Sequence, residues 1–189
     1  MRNAFQDTRT CMARAHILDI KGADRMLWEN TTKNYARKME KRKPEAFAQI
    51  KGGPHNPKID GTVAFYKTLR GVLVIADIAG LPTDTAECAE NIFAMHIHQG
   101  GSCTGNAQDP FADTKSHYNP KNCPHPAHAG DLPPLFANNG SAWCAFVTNR
   151  FRIRDILGHT VVIHSKADDF KTQPSGDSGD KLACGVIQR

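Results

Sequence analysis

Six histidines and one aspartate within 69 residues have the types and spacing of metal ligands: His96 and His98, His117, then His125, His128 and Asp131, and last His164. Imidazole and carboxylate bind borderline divalent ions, and a set without cysteine points to copper and zinc. In an extended strand residues i and i+2 project from the same face, so His96 and His98 can reach one ion together. His125, His128 and Asp131 recur at three-residue intervals in a Pro- and Gly-rich stretch, where the chain can curl until three side chains converge. His164 ends the apolar run Val161-Val162-Ile163. Each segment alone has a plainer reading: a structural His-x-His, surface histidines on a loop, one hydrogen-bonded core histidine. Taken together they make metal chemistry the better one.

Composition narrows what must carry these ligands. A chain of 189 residues with 40% hydrophobic content can build one domain with a real core, and hardly two. No apolar run approaches the roughly 18 residues of a membrane span, so no membrane partner is expected. Arg2, Asp7, Arg9, Arg14 and Asp19 interrupt any apolar core of a signal peptide. A cytoplasmic location is therefore the default expectation. The formal charge of +5 lies in residues 1–45, which hold 11 Lys and Arg against 6 Asp and Glu; residues 46–189 hold 13 of each sign. With a neutral remainder and no aromatic residues interleaved with Lys41-Arg42-Lys43, nucleic acid is not an expected partner. Cys11, Cys88, Cys103, Cys123, Cys144 and Cys184 show no C-x-x-C spacing, which argues against a zinc ribbon or a thioredoxin-type site.

The elements that must position the ligands read as short strands. Residues 1–45 form a weakly helical or disordered extension, with a poor amphipathic pattern over 24–43. From Ala46 onward the expected strands are Ile59–Lys67, Gly71–Ala79, Asn91–His98, Ala142–Thr148, Thr160–His164 and Ala183–Ile187, with turns at Leu69-Arg70-Gly71 and Ala79-Gly80-Leu81-Pro82. Short strands without intervening helices predict an all-β fold, an antiparallel sandwich or barrel over residues 46–189. Residues 99–141 and 165–181 are expected to be two long loops. Because the histidines fall in and beside them, these loops are read as functional.

The order of motifs resembles the copper/zinc superoxide dismutase family. The matching stretches are His96-Ile97-His98, Gly101-Ser102-Cys103-Thr104, Ser116-His117-Tyr118-Asn119-Pro120 and His128-Ala129-Gly130-Asp131-Leu132-Pro133. Further on come Gly158-His159-Thr160-Val161-Val162-Ile163-His164, Ala167-Asp168-Asp169 and Leu182-Ala183-Cys184-Gly185-Val186-Ile187. The resemblance implies a Greek-key, immunoglobulin-like sandwich and an oxidoreductase that disproportionates superoxide to dioxygen and hydrogen peroxide through Cu(II)/Cu(I) cycling. It implies copper on His96, His98, His117 and His164, and zinc on His117, His125, His128 and Asp131. His117 would be the bridge, taking a proton during turnover. Asp168 would accept hydrogen bonds from one copper and one zinc histidine, fixing their tautomers, while Asp169 is expected to be a solvated neighbour. Cys103 and Cys184 would form the disulfide. Cys144 is read as a small core residue, and Cys123 as free or paired with Cys88.

Several departures qualify the match. Lys181 stands where the family places an arginine beside the copper; it keeps the charge and loses the planar fork. Ser175 replaces a threonine that narrows the channel, and Asp177 and Asp180 add negative charge, so weaker anion steering and a slower enzyme are expected. The zinc-binding stretch is also compressed, which bears most on His125. The extension has no family counterpart, and a start of translation at Met39 is expected. The competing reading is a non-enzymatic copper/zinc-binding module, whose mark would be a missing copper ligand. None is missing. The resemblance leaves a homodimer open, since monomers and dimers both occur among such enzymes.

Overall fold

The computed structural model describes residues 42–189; the weak helix and the Met39 start fall outside the described residues. A compact unit runs from Pro44 to Arg189. Its strands, in chain order, are β1 (Ala46–Gly52), β2 (Asp60–Thr68), β3 (Gly71–Ala79), β4 (Ile92–Phe93), β5 (Met95–His98), β6 (Leu135–Phe136), β7 (Ala142–Thr148), β8 (Thr160–His164) and β9 (Lys181–Gln188). The α-helix among the described residues is a single turn, α1 (Ile153–Ile156).

Seven strands form one curled antiparallel sheet, a half-barrel, in the order β5-β8-β9-β1-β2-β3-β7, and β4 pairs with β6 separately. The expected all-β antiparallel architecture is what is found. Alternation explains why the sheet curls round a core: Ala46, Ala48 and Ile50 of β1, Val63 and Phe65 of β2, and Val72, Val74, Ala76 and Ile78 of β3 are all buried. Each large side chain hidden this way contributes roughly 1.5–3 kcal/mol relative to leaving it in water. The β2–β3 hairpin turns through Leu69-Arg70, as expected, and closes at Thr68↔Gly71. Gly71 has φ +134°, and a Cβ there would come 2.3 Å from the Thr148 carbonyl oxygen.

β1 and the single-turn α1 have no counterpart among the expected elements, and two further stretches differ from expectation. The strand read as Asn91–His98 is broken at Ala94, whose N–H goes to Lys166 O and whose carbonyl accepts from His164 N. The backbone therefore leaves one sheet for the other just before the first ligand. A short strand, β6, also interrupts the loop expected over 99–141.

The β5–β8–β9 end of the half-barrel is buried on both faces. Met95, Ile97, Val161 and Ile163 point into the main core. On the opposite face Val162 and Cys184 pack under Phe111 and Cys103, which come from the long loop. That second face carries His96, His98 and His164.

Candidate metal centre

Strand β5 is an edge of the sheet, and its free side is taken by two pieces of the long loop. Tyr118 N donates to Ile97 O at 2.8 Å, Ile97 N to Gly130 O at 2.8 Å, and Gly130 N to Tyr118 O at 2.9 Å. His98 thereby bridges to His117, and His96 to Asp131, as isolated β-pairs. Gly130 is required by closeness rather than by φ, since a Cβ would lie 2.2 Å from Ile97 O. Backbone pairing thus delivers the loop ligands to the strand ligands. The disulfide Cys103–Cys184, with Cα atoms 5.7 Å apart, anchors the start of the same loop to β9.

Two groups of four ligand atoms result, each with its members within 4.8 Å of one another: His96, His98, His117 and His164, and His117, His125, His128 and Asp131. His117 belongs to both, and all seven side chains are buried. His125 is as well placed as the others despite the compressed loop.

The unpaired atoms test whether metals fit. His96 Nδ1, His117 Nε2 and His125 Nδ1 are buried without a hydrogen-bond partner. His125 Nδ1 lies 3.1 Å from Asp131 Oδ2, near enough for an ion pair but without hydrogen-bond alignment. His98 Nε2 faces His164 Nε2 at 3.2 Å, and His128 Nδ1 faces His117 Nδ1 at 3.4 Å. Buried polar atoms without partners cost free energy, and ring nitrogens facing one another repel unless they share a proton or an ion. A cation in each group satisfies all of them. The donor types suit the two cofactors: four nitrogens for copper, three nitrogens and a carboxylate for tetrahedral zinc.

The ring nitrogens that face away from the groups are held from outside. Asp168 accepts from His96 Nε2 at 2.8 Å and from His125 Nε2 at 2.9 Å, and Phe170 N donates to it at 2.7 Å. Burial pushes the Asp168 carboxyl up, but these bonds outweigh it and hold it below the usual carboxylate range. His98 Nδ1 meets Lys115 O at 2.7 Å, and His164 Nδ1 meets Gly179 O at 3.3 Å. Burial dominates the histidines, keeping His96 and His98 neutral and pulling His164 down to about 3, with His96 nearby adding to it. Neutral imidazole is the form that ligates. Asp131 is pushed up by burial, yet falls below its ordinary range because of the hydrogen bond from His117 and the other histidines.

Sequence reasoning missed three positioning residues. Arg150 Nη1 donates to the carbonyls of Pro126, His128 and Asp131, fixing the loop that carries His125, His128 and Asp131. Gln173 clamps His125 by both backbone atoms, at 2.9 and 2.7 Å. Gly176, at φ +72°, leaves room for Asp168, since a Cβ would sit 2.1 Å from its Oδ1. Arg150 and Gln173 bind backbone distant in sequence and Gly176 acts through the side chain it lacks, so a single sequence carries no periodic signal for them.

Asp169 is the solvated neighbour expected, and it has a further local role. It is exposed, but it accepts the Lys171 and Thr172 N–H groups and the Thr172 hydroxyl, which lower its carboxyl to about 2. It stabilises the loop after Asp168 rather than merely facing solvent. Ser175 is half-buried, and its carbonyl accepts the Ser178 hydroxyl. Asp177 approaches Lys166 at 3.5 Å. Lys181, the register partner of His164, donates to Asp109 Oδ2 at 2.7 Å and to Phe111 O at 3.1 Å. Cys88, Cys123 and Cys144 are free, and Cys144 packs partly buried against the core.

Comparison with known proteins accounts for this arrangement. Residues 59–187 match the sequence profile of copper/zinc superoxide dismutase. A copper-zinc superoxide dismutase of Deinococcus radiodurans is 32% identical over 149 residues, 69% of this chain and 78% of that protein. One from Legionella pneumophila is 32% identical over 144 residues, 72% of this chain and 82% of the relative. Among solved structures, a SOD-like protein from Bacillus subtilis superposes with TM-score 0.60 at 25% identity, covering 74% of this chain and 96% of that one. A double mutant of it, with a tyrosine and a proline changed to histidine, gives TM-score 0.60 at 26% identity. Fold, paired histidine groups and sequence kinship agree, and the chain belongs to the copper/zinc superoxide dismutase family.

Proposed function

We propose that the enzyme holds copper on His96, His98, His117 and His164 and zinc on His117, His125, His128 and Asp131, and uses His117 to move a proton while it disproportionates superoxide. The observation that carries this assignment is the shared imidazole of His117: Nδ1 lies in the zinc-side group, 2.8 Å from Asp131, while buried Nε2 has no partner. Bound copper supplies the one-electron acceptor and donor that the two half-reactions need, and zinc a fixed positive charge.

The chain's own residues do the rest. Asp168 holds His96 and His125 in the tautomers that leave Nδ1 of each ring free to ligate. Lys115 O does the same for His98 by engaging its Nδ1, leaving Nε2 for the site. His117 Nε2 would take up a proton as one superoxide leaves as dioxygen and give it to the next, which takes its second proton from solvent and leaves as hydrogen peroxide. Two superoxides and two protons then yield one dioxygen and one hydrogen peroxide, which balances charge and atoms. Ser175 would border the approach to the site.

The test is the dismutation rate of the purified protein after loading with copper and zinc. A fast rate that disappears when copper alone is withheld is the expected result. Full occupancy of both metals with no turnover would instead favour a non-enzymatic metal-binding module.

A further inference from the structure

The charge expected to greet the substrate is already occupied. Lys181 Nζ is seated between the Asp109 carboxylate, at 2.7 Å, and the carbonyl of Phe111, at 3.1 Å, with its side chain 16% exposed. Asp109 is itself fixed: its Oδ1 accepts Phe111 N at 2.9 Å, and its backbone carbonyl accepts Asn106 N at 2.9 Å. Phe111 is buried against Val162 and the Cys103–Cys184 bridge, so the seat is tied to the disulfide. Lys181 pairs in register with His164, which puts the ion pair beside the copper-side group. Lysine carries a compact charge on a flexible stem, so an adjacent carboxylate can capture it outright.

We propose that Asp109 is a positioning residue that masks Lys181, holding its ammonium in a neutral pair so that an anion approaching the copper-side histidines meets little net attraction. The inference rests on the dismutase reading for its consequence, but the masking itself concerns anion affinity. A fixed cation beside a concave site raises the local concentration of anions, and a carboxylate 2.7 Å from it cancels most of that field. The slow steering expected from lysine in place of arginine thus has a second source, a carboxylate contributed by the segment between Cys103 and His117.

The experiment compares the copper- and zinc-loaded protein with Asp109→Asn, using azide affinity from the copper absorption band and superoxide decay by stopped flow. Unmasking predicts azide affinity and second-order rate constant both raised about three- to ten-fold at low ionic strength, the effect of one unit charge at a few ångströms in a wet cleft. Asp60→Asn, which removes the same charge from the exposed pair with Lys51, is the control and leaves both values unchanged. Adding Lys181→Met to Asp109→Asn abolishes the gain. An Asp109→Asn protein no better than the Asp60→Asn control overturns the proposal. The unmodified protein offers a measurement independent of any variant's folding. Its rate changes less than about two-fold between low and physiological salt if Lys181 is masked, and a steep fall with salt overturns the idea. Azide reports masking whether or not turnover occurs. Absent dismutation would therefore sink the enzyme reading alone, and unchanged azide affinity would sink this one alone.

Discussion

Replacing Asp168 by alanine separates the two metal sites, because one carboxylate supports a ligand of each on supports of unequal stiffness. His96 sits in β5, fully buried and paired in register with Val162. His125 sits on a loop and depends on Asp168 for its ring and on Gln173 for its backbone. Asp168→Ala deletes both ring contacts, at 2.8 and 2.9 Å, and leaves two buried ring nitrogens without an acceptor. A hydrogen bond to a charged group is worth about 1.5–3 kcal/mol, and lost outer partners typically cost about 10–100-fold in metal affinity. Strand pairing keeps the His96 ring near its place, so copper affinity falls about ten-fold, near the bottom of that range. Nothing comparable restrains the His125 ring, and zinc affinity falls about 100-fold, near the top. Competition titrations with calibrated chelators, one metal at a time, measure both. A variant that weakens copper more than zinc would refute the reasoning that scaffold stiffness decides which site suffers.

Opening the disulfide in Cys103→Ser removes a closure between residues 81 apart in sequence, worth about 4–5 kcal/mol in the chain-entropy model, and chemical denaturation of the metal-free protein should show a loss of that size. Gly130→Ala places a methyl 2.2 Å from Ile97 O, forcing the loop off β5. A loss of at least ~2 kcal/mol and weakened binding of both metals are expected, by denaturation and by titration. Acid should destabilise the metal-free protein in a defined window. His96, His98 and His164 have folded pKa values below 6.5, that of His164 about 3, so unfolding takes up protons as pH falls through 6.5. Stability is complete above that pH and drops toward pH 3 by about 1.4 kcal/mol per unit for each histidine kept neutral. A denaturation midpoint flat between pH 7 and 4.5 would contradict it.

Much of the site was legible because ligand chemistry restricts residue type and strand geometry restricts spacing. His96 and His98 could be paired from the period of two alone, and the loop trio from its Pro- and Gly-rich setting. The disulfide was accessible only through the resemblance, since six cysteines leave many pairings open. Strand ends were less legible. β1 buries Ala46 and Ala48 beside Ile50, and alanines give a weak hydrophobic signal. The break at Ala94 follows from hydrogen bonds to Lys166 and His164, some 70 residues away, which no local pattern announces. Arg150, Gln173 and Asp109 were invisible for the same reason, as each binds a partner distant in sequence.

The pairing of loop segments onto the free side of β5 has a consequence for self-association. An uncovered edge strand offers unpaired N–H and C=O groups as a template for another chain. Here Ile97 spends its N–H on Gly130 and its carbonyl on Tyr118, so the segments that carry His117 and Asp131 also cap the edge. Zinc held between His117 and Asp131, as proposed, would clamp the two caps together. The backbone hydrogen bonds that bring the ligand groups together are thus the same ones that keep β5 from pairing with another chain.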